Sequence, residues 1–209
     1  MSDLLVYLIT IVEFGILIVS VILHEVAHGY TALRLGDPTA HYAGRLTLNP
    51  LKHIDPFGTV ILPLLLILLK SSFLIGWAKP VPVNPALLRD PKRGMMLVSA
   101  VGPLTNISLA LVAAMALRTL PLFRAPFVFD LLKYVCYVNI LLSIFNLVPV
   151  PPLDGSKLVA YFLPPRASAL YERLTPYGLL IIIGLLFFGL LDKAILPLCD
   201  LIFSLLVRG

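Results

Sequence analysis

Two histidines four residues apart enclose a glutamate in the segment His24-Glu25-Val26-Ala27-His28. In an α-helix, residues at positions i and i+4 lie on the same face about one turn apart, so both imidazoles could bind one metal ion. The glutamate between them could take a proton from a water bound to that metal, as in H-E-x-x-H metalloproteases. The pattern therefore predicts a zinc site with hydrolytic chemistry.

The helix that would carry this motif is almost entirely apolar. Between Leu4 and Leu23 the only acidic or basic side chain is Glu13. About 20 apolar residues are enough to cross a bilayer core of roughly 30 Å. Because titratable groups at membrane depth are costly, they indicate function. We predict a helix over Leu4–Leu35 with the metal inside the thickness of the membrane.

The composition places the whole chain in the membrane class. Of its 209 residues, 59% are hydrophobic and 13% are charged, and the mean hydropathy is +0.99. The net charge of +5 is scattered among apolar segments and forms no basic stripe, so nucleic acid is not an expected partner. The first apolar stretch lacks the positive start and the cleavage site of a signal peptide, so we expect a retained span. Residues 1–209 are predicted to form a single membrane-embedded domain.

The remaining apolar segments predict an all-α polytopic membrane protein with about five to six transmembrane or re-entrant helices. The segment Gly44–Asn49 alternates polar and apolar residues before a turn signal, which predicts a short membrane-associated β element. That strand could capture an extended substrate by β-addition or simply brace the structure. Helices are predicted over Gly94–Leu120, Val128–Val148, Ser156–Phe162 and Tyr171–Leu191, with a short apolar end over Ala194–Val207.

A third metal ligand follows by elimination. Catalytic zinc usually takes three protein ligands and keeps a fourth position open. The metzincin pattern would need Gly and His where this chain has Thr31 and Arg34, and the downstream Glu172 lies in a loop-like region. Among the remaining histidines and aspartates, Asp154 stands beside an apolar helix in a proline-broken turn. We therefore choose Asp154 as the third ligand.

The depth of these ligands constrains the topology. His24 lies toward the C-terminal end of its helix and Asp154 lies just beyond the end of Val128–Val148, so the two helices must run parallel. This requires Phe57–Ile75 to be a re-entrant or peripheral hairpin rather than a crossing. Lys and Arg residues are concentrated between Arg34 and Arg93, which puts that region in the cytoplasm. The N-terminus is then outside the plasma or inner membrane, and the active site lies nearer the cytoplasmic face.

Three further polar residues could serve the site. Asn146 could hydrogen-bond the oxyanion or the substrate backbone, or it could form an interhelical hydrogen bond. Asn106 is a second candidate for substrate or oxyanion contact, although backbone groups freed near Gly102-Pro103 favour a structural role. His53 is either a surface or capping residue, or a gate or extra metal ligand.

Three motifs in order make the chain similar to the site-2 protease family. They are His24-Glu25-Val26-Ala27-His28, Gly102-Pro103-Leu104-Thr105-Asn106, and Asn146-x-x-Pro-x-Pro-x-Leu-Asp154-Gly155. The segment Gly76-Trp77-Ala78-Lys79-Pro80-Val81-Pro82-Val83-Asn84-Pro85 resembles the compact prokaryotic branch, without a PDZ or CBS domain. The resemblance implies an intramembrane zinc metalloprotease that cuts transmembrane segments of other membrane proteins in regulated intramembrane proteolysis.

The resemblance also implies site roles and partners. His24, His28 and Asp154 would bind one Zn²⁺ per chain, and Glu25 would be the general base. Asn106 and Asn146 match polar helix positions of the family. The expected partners are the lipid bilayer and a transmembrane protein or peptide substrate.

Two other classes remain open. A membrane cation transporter could bind a moving ion through its embedded histidines and aspartate, but the sequence shows no inverted repeat and the glutamate has no role in simple coordination. A metal-binding pseudoprotease is the other class, and the intact Glu25 argues against it.

Overall fold

The computed structural model describes residues 3–61, 65, 68, 78–119, 126–189 and 191–208. Within these residues the protein is built from helices and connecting turns. The helices are α1 Asp3–Arg34, α2 Thr39–Tyr42, α3 Pro91–Thr119, α4 Pro126–Asn146, α5 Asp154–Phe162, α6 Pro165–Glu172, α7 Gly178–Phe187 and α8 Leu196–Arg208. Short 3₁₀ or π turns lie at Pro50–Lys52, Pro56–Ile61, Pro85–Leu87, Thr175–Tyr177 and Leu191–Ile195.

The prediction of an all-α membrane protein is confirmed. Four stretches within the described residues are long and apolar enough to cross a bilayer: Tyr7–Arg34, Pro91–Thr119, Pro126–Asn146 and Pro165–Phe187. Many large apolar side chains on these helices are exposed, as lipid-facing residues are. Most of Phe57–Ile75 lies outside the described residues, so its re-entrant path and the number of crossings stay predictions.

The predicted strand over Gly44–Asn49 is wrong, because these residues form a turn, a bend and irregular backbone, and no strand occurs in the described parts of the chain. Gly44 has a φ of 62°, in the left-handed region that ends a regular strand. Arg45 is buried and Leu48 is exposed, so the alternation does not produce one apolar face. Polar and apolar residues can also alternate in an irregular segment, so this alternation alone does not identify a β-strand.

The helix α3 is at the centre of the structure and packs against both α1 and α4, and also against α5. Its small residues Ala110, Ala113 and Ala114 form a buried cluster with Cys136 and Ile140 of α4. Small side chains let helix backbones approach closely, which is how helices associate when lipid is the solvent. This packing brings the end of α1 and the start of α5 to the same side of α3.

The end of α1 is fixed by a buried carboxylate. Asp37 is fully buried and accepts hydrogen bonds from the Thr39 hydroxyl, the Thr39 amide at 2.9 Å and the Asn84 amide at 2.6 Å. Burial alone would raise the pKa of Asp37, but these hydrogen bonds from Thr39 and Asn84 outweigh it, and the pKa is lowered. Asp37 therefore ties residue 84 to the end of the helix that carries the metal-binding motif.

Candidate metal centre

The two histidines of α1 and the first residue of α5 converge on one point. Asp154 Oδ2 lies 3.1 Å from His24 Nε2 and 3.3 Å from His28 Nε2. The imidazole rings stand edge to face with their centroids 4.6 Å apart. All three side chains predicted as ligands thus point their donor atoms at one another.

These distances fit a zinc ion. Tetrahedral zinc with bonds of about 2.0–2.1 Å holds neighbouring ligand atoms about 3.3–3.5 Å apart. Asp154 Oδ2 is buried and accepts no hydrogen bond of good geometry. Because a buried anionic oxygen without a donor is costly, the two imidazoles and the carboxylate are best explained as a donor set for a cation. The residues that would hold zinc are therefore His24, His28 and Asp154.

The other nitrogen of each imidazole contacts an oxygen. His24 Nδ1 lies 2.6 Å from Asn106 Oδ1, and His28 Nδ1 lies 2.6 Å from the carbonyl oxygen of Val98. Since both oxygens are acceptors, each Nδ1 carries the proton and each Nε2 keeps a free lone pair. Such outer hydrogen bonds fix the tautomer and the ring orientation of metal-binding histidines.

Asn106 forms a hydrogen bond with the imidazole of His24. It is completely buried, its Oδ1 is used by His24, and its Nδ2 donates to Asn139 Oδ1 at 2.8 Å. Asn139 in turn donates to Ser20 Oγ at 3.0 Å. Asn106 Nδ2 also donates to the Ser20 carbonyl oxygen at 3.5 Å, so both of its N–H groups have acceptors inside the protein, and Asn106 is not among the residues that line the cavity. The hydrogen bonds that join Asn106 to Asn139 and Ser20 were not identified from the sequence. Polar residues within apolar helices were the signal that could have pointed to them.

We predict that Asn106→Leu weakens zinc binding about 10- to 100-fold, since the loss of an outer hydrogen bond to a ligating histidine has effects of this size. Leucine keeps the volume but leaves His24 Nδ1 without an acceptor. Competition with a chromogenic chelator measures the affinity. Ser108→Ala on the exposed side of α3 is the control, and an Asn106→Leu affinity within threefold of wild type would contradict the prediction.

Glu25 stands beside the donor set. One of its carboxylate oxygens lies within 4.8 Å of the ligand atoms of His24 and His28. Its Oε2 accepts a hydrogen bond from the main-chain amide of Val81 at 2.8 Å. The carboxylate is thus held next to the candidate metal position with one oxygen still able to accept a proton.

A cavity of about 620 Å³ opens over this group and is lined by His24, Glu25, His28 and Asp154. The lining also includes Leu179, Ile182, Ile183 and Leu186, which lie on one face of α7. The cavity therefore combines polar, candidate metal-binding side chains with an apolar surface, which suits an apolar polypeptide with a reactive amide.

Asn146 and His53 take different places relative to this cavity. Asn146 lines it, and its Nδ2 donates to the Leu142 carbonyl oxygen at 2.9 Å, which uses one of its two N–H groups. His53 is buried and places Nε2 2.8 Å from the Thr47 carbonyl oxygen, outside the group of candidate ligands. The geometry is compatible with substrate contact by Asn146 but gives no support for His53 as an extra ligand.

Gly102 lets α3 pass directly against the histidines. A Cβ atom at this position would lie 2.5 Å from His28 Nε2 and 2.6 Å from His24 Cε1. The helix α3 continues through Gly102 and Pro103. Gly102 is therefore needed for the space it leaves to the imidazoles, a requirement that only the packing of α3 on α1 shows.

Taken with the apolar helices, this donor set is the arrangement expected of a metal-dependent hydrolase embedded in a membrane. The sequence profile of peptidase family M50 matches residues 121–189, which include Asp154. YwhC of Bacillus subtilis (strain 168) is 38% identical over 176 residues, which cover 81% of this chain and 77% of YwhC. Rip2 of Mycobacterium tuberculosis (strain ATCC 25618 / H37Rv) is 32% identical over 153 residues, which cover 72% of this chain and 57% of Rip2.

Both relatives are named as zinc metalloproteases. No solved structure was found to match the chain. The chain belongs to peptidase family M50, the site-2 proteases. The predictions of a zinc-dependent protease and of the site-2 protease family are thereby confirmed.

Proposed function

We propose that the protein hydrolyses peptide bonds in or near transmembrane segments of other membrane proteins, with Glu25 as the general base. His24, His28 and Asp154 hold one zinc ion in a single domain over residues 1–209. The observation that carries this proposal is the convergence of three donor atoms beside Glu25 at the floor of the cavity.

The residues divide the chemistry among them. When bound, zinc lowers the pKa of water toward about 7 and polarises a peptide carbonyl. Glu25 accepts the proton of the attacking water at the carboxylate oxygen that Val81 leaves free, and returns it to the leaving amine. The second N–H of Asn146 is positioned at the cavity wall to donate to the oxygen on which charge develops.

The substrate must be locally unwound before it reacts. Carbonyl groups inside a helix are used by i to i−4 hydrogen bonds and are not accessible to attack. The cavity offers an apolar wall from α7 and an irregular segment, Ala78–Asn84, that contributes Pro80 and Val81 to the lining. An unwound substrate segment lies between these two walls, whereas β-addition to Gly44–Asn49 loses its basis without a strand.

The arrangement of α1, α3 and α4 supports the proposed orientation. His24 lies near the end of α1 and Asp154 follows the end of α4, and the two side chains meet. This contact is accounted for if α1 and α4 run parallel, with α3 as the crossing between them. With Arg and Lys concentrated between Arg34 and Arg93, the N-terminus is outside and the site lies nearer the cytoplasmic face.

The function is tested by reconstituting the protein with a labelled single-span substrate and removing the metal. We expect chelation to reduce cleavage to background, and one equivalent of zinc per chain to restore it, whereas magnesium does not. Mass spectrometry of the products should place the cut in or next to the apolar segment. Cleavage that survives chelation, or cuts confined to the soluble tails, would contradict the proposal.

A further inference from the structure

A buried arginine lies next to the segment that contacts Glu25. Arg45 is only 6% exposed, and its Nη2 donates to the main-chain carbonyls of Lys79 and Pro80. Within the described residues the guanidinium forms no ion pair, and its Nε has no hydrogen-bond partner. Burying a cation without a carboxylate is costly, so the benefit has to come from the two carbonyls that it holds.

Those carbonyls belong to a segment that is tied down along its length. The Lys79 amide donates to the His53 carbonyl oxygen at 2.9 Å, and the Asn84 amide donates to Asp37 at 2.6 Å. Between these two ends, the Val81 amide donates to Glu25 Oε2 at 2.8 Å. The Val81 N–H group therefore contacts Glu25 from a segment whose backbone is hydrogen-bonded on both sides of Val81, at Lys79 and Asn84.

The backbone of α1 makes room for this approach. Gly29 lies one turn after Glu25, and a Cβ there would lie 2.5 Å from Leu46 Cδ2 and 2.9 Å from Val81 Cγ1. The side chain of Val81 thus packs directly against the helix that carries the motif. Gly29 thus leaves space for the Val81 side chain, and Arg45 binds the carbonyl oxygen of the preceding residue, Pro80.

We propose that Arg45 is a positioning residue for Glu25. By holding the carbonyls of Lys79 and Pro80, it directs the Val81 N–H at one oxygen of the Glu25 carboxylate, and the other oxygen faces the reacting water. The proposal rests on the general-base role of Glu25. A base must lie within about 2.6–3.2 Å of the proton that it takes, and a misplacement of about 1 Å can cost 10²-fold in rate.

The hydrogen bond itself is tested by two substitutions of the same side chain. Val81→Pro removes the N–H group that donates to Glu25, while Val81→Ala keeps that N–H group and removes the side-chain packing. The change in the cavity lining is common to both variants and is measured as a change in KM. We expect the kcat of Val81→Pro to be about 10- to 100-fold lower than that of Val81→Ala, with bound zinc at the wild-type level in both.

The role of Arg45 is tested by amide hydrogen exchange, which can be measured in the protein without bound zinc. In metal-free protein, Arg45→Met should speed amide exchange over Ala78–Asn84 by about tenfold or more, because local opening becomes easier. Arg45→Lys keeps the charge but not the planar fork, so kcat should lie between those of wild type and Arg45→Met. Bound zinc should match wild type in both variants.

Equal kcat values in Val81→Pro and Val81→Ala would overturn the proposal, as would a difference between them in KM alone. Unchanged exchange and unchanged kcat in Arg45→Met would also overturn it. Cleavage that survives Glu25→Gln would instead overturn the general-base role, so the two failures are distinguishable.

Discussion

Glu25→Gln is expected to lower kcat about 10²- to 10⁴-fold, the range that a positioned general base supplies. Glutamine has nearly the same shape, and its amide oxygen can still accept the hydrogen bond that Val81 donates to Glu25 Oε2. It cannot take a proton from water at neutral pH. The metal-binding atoms of His24, His28 and Asp154 are untouched, so bound zinc should stay at the wild-type level.

Glu13→Gln is the matched control for this variant, because it makes the same change in the same helix but away from the cavity. Its rate should stay within about twofold of wild type, as expected for a residue outside the reacting group. The measurement is single-turnover cleavage of a labelled single-span substrate, with zinc determined on the same samples. Wild-type cleavage by Glu25→Gln would rule out Glu25 as the base, and loss of zinc would show a structural role instead.

Gly102→Ala should remove most of the bound zinc and with it the activity. The added methyl would lie 2.5 Å from His28 Nε2 and 2.6 Å from His24 Cε1, closer than atoms can pack. Both imidazoles, or α3 itself, must move, and the ligand geometry must then change. We expect cleavage to fall at least about 10²-fold, because metal sites and reacting groups tolerate little displacement.

Gly102→Ala should not destabilise the helix α3 itself, since alanine is favoured over glycine in a helix interior by about 1 kcal/mol. Gly15→Ala and Gly184→Ala are suitable controls, because a Cβ atom at either position would meet nothing within 4 Å. Both controls should keep wild-type zinc and activity. A fully metallated and active Gly102→Ala protein would show that the packing of α3 on the histidines is looser than the structure indicates.

Much of the candidate site could be predicted because its signals are local. The i and i+4 spacing of His24 and His28 on one helix follows from helical geometry alone. Asp154 could be selected because few carboxylates stand beside apolar helices, and the structure brings its Oδ2 to both Nε2 atoms. The roles of these residues stay predictions until metal content and cleavage are measured.

The predicted strand was wrong because burial, and not sequence period, decides the conformation there. Gly44–Asn49 alternates like a strand, yet Arg45 is its buried residue and Gly44 turns the chain. For Asn106 and Asn146 the sequence left both substrate contact and a structural role open. Only the packing of α3 on α1 shows that the Asn106 oxygen is used by His24, while Asn146 reaches the cavity.

The sequence by itself determined the apolar helices, the metal-binding motif and the class of chemistry, because hydropathy and helical spacing are properties of neighbouring residues. The tertiary structure decided which groups support that chemistry. The acceptors for His24 and His28, the space left by Gly102 and the amide that reaches Glu25 all come from segments distant in the chain. Their positions depend on how helices pack in three dimensions, and no local pattern of residues encodes that packing.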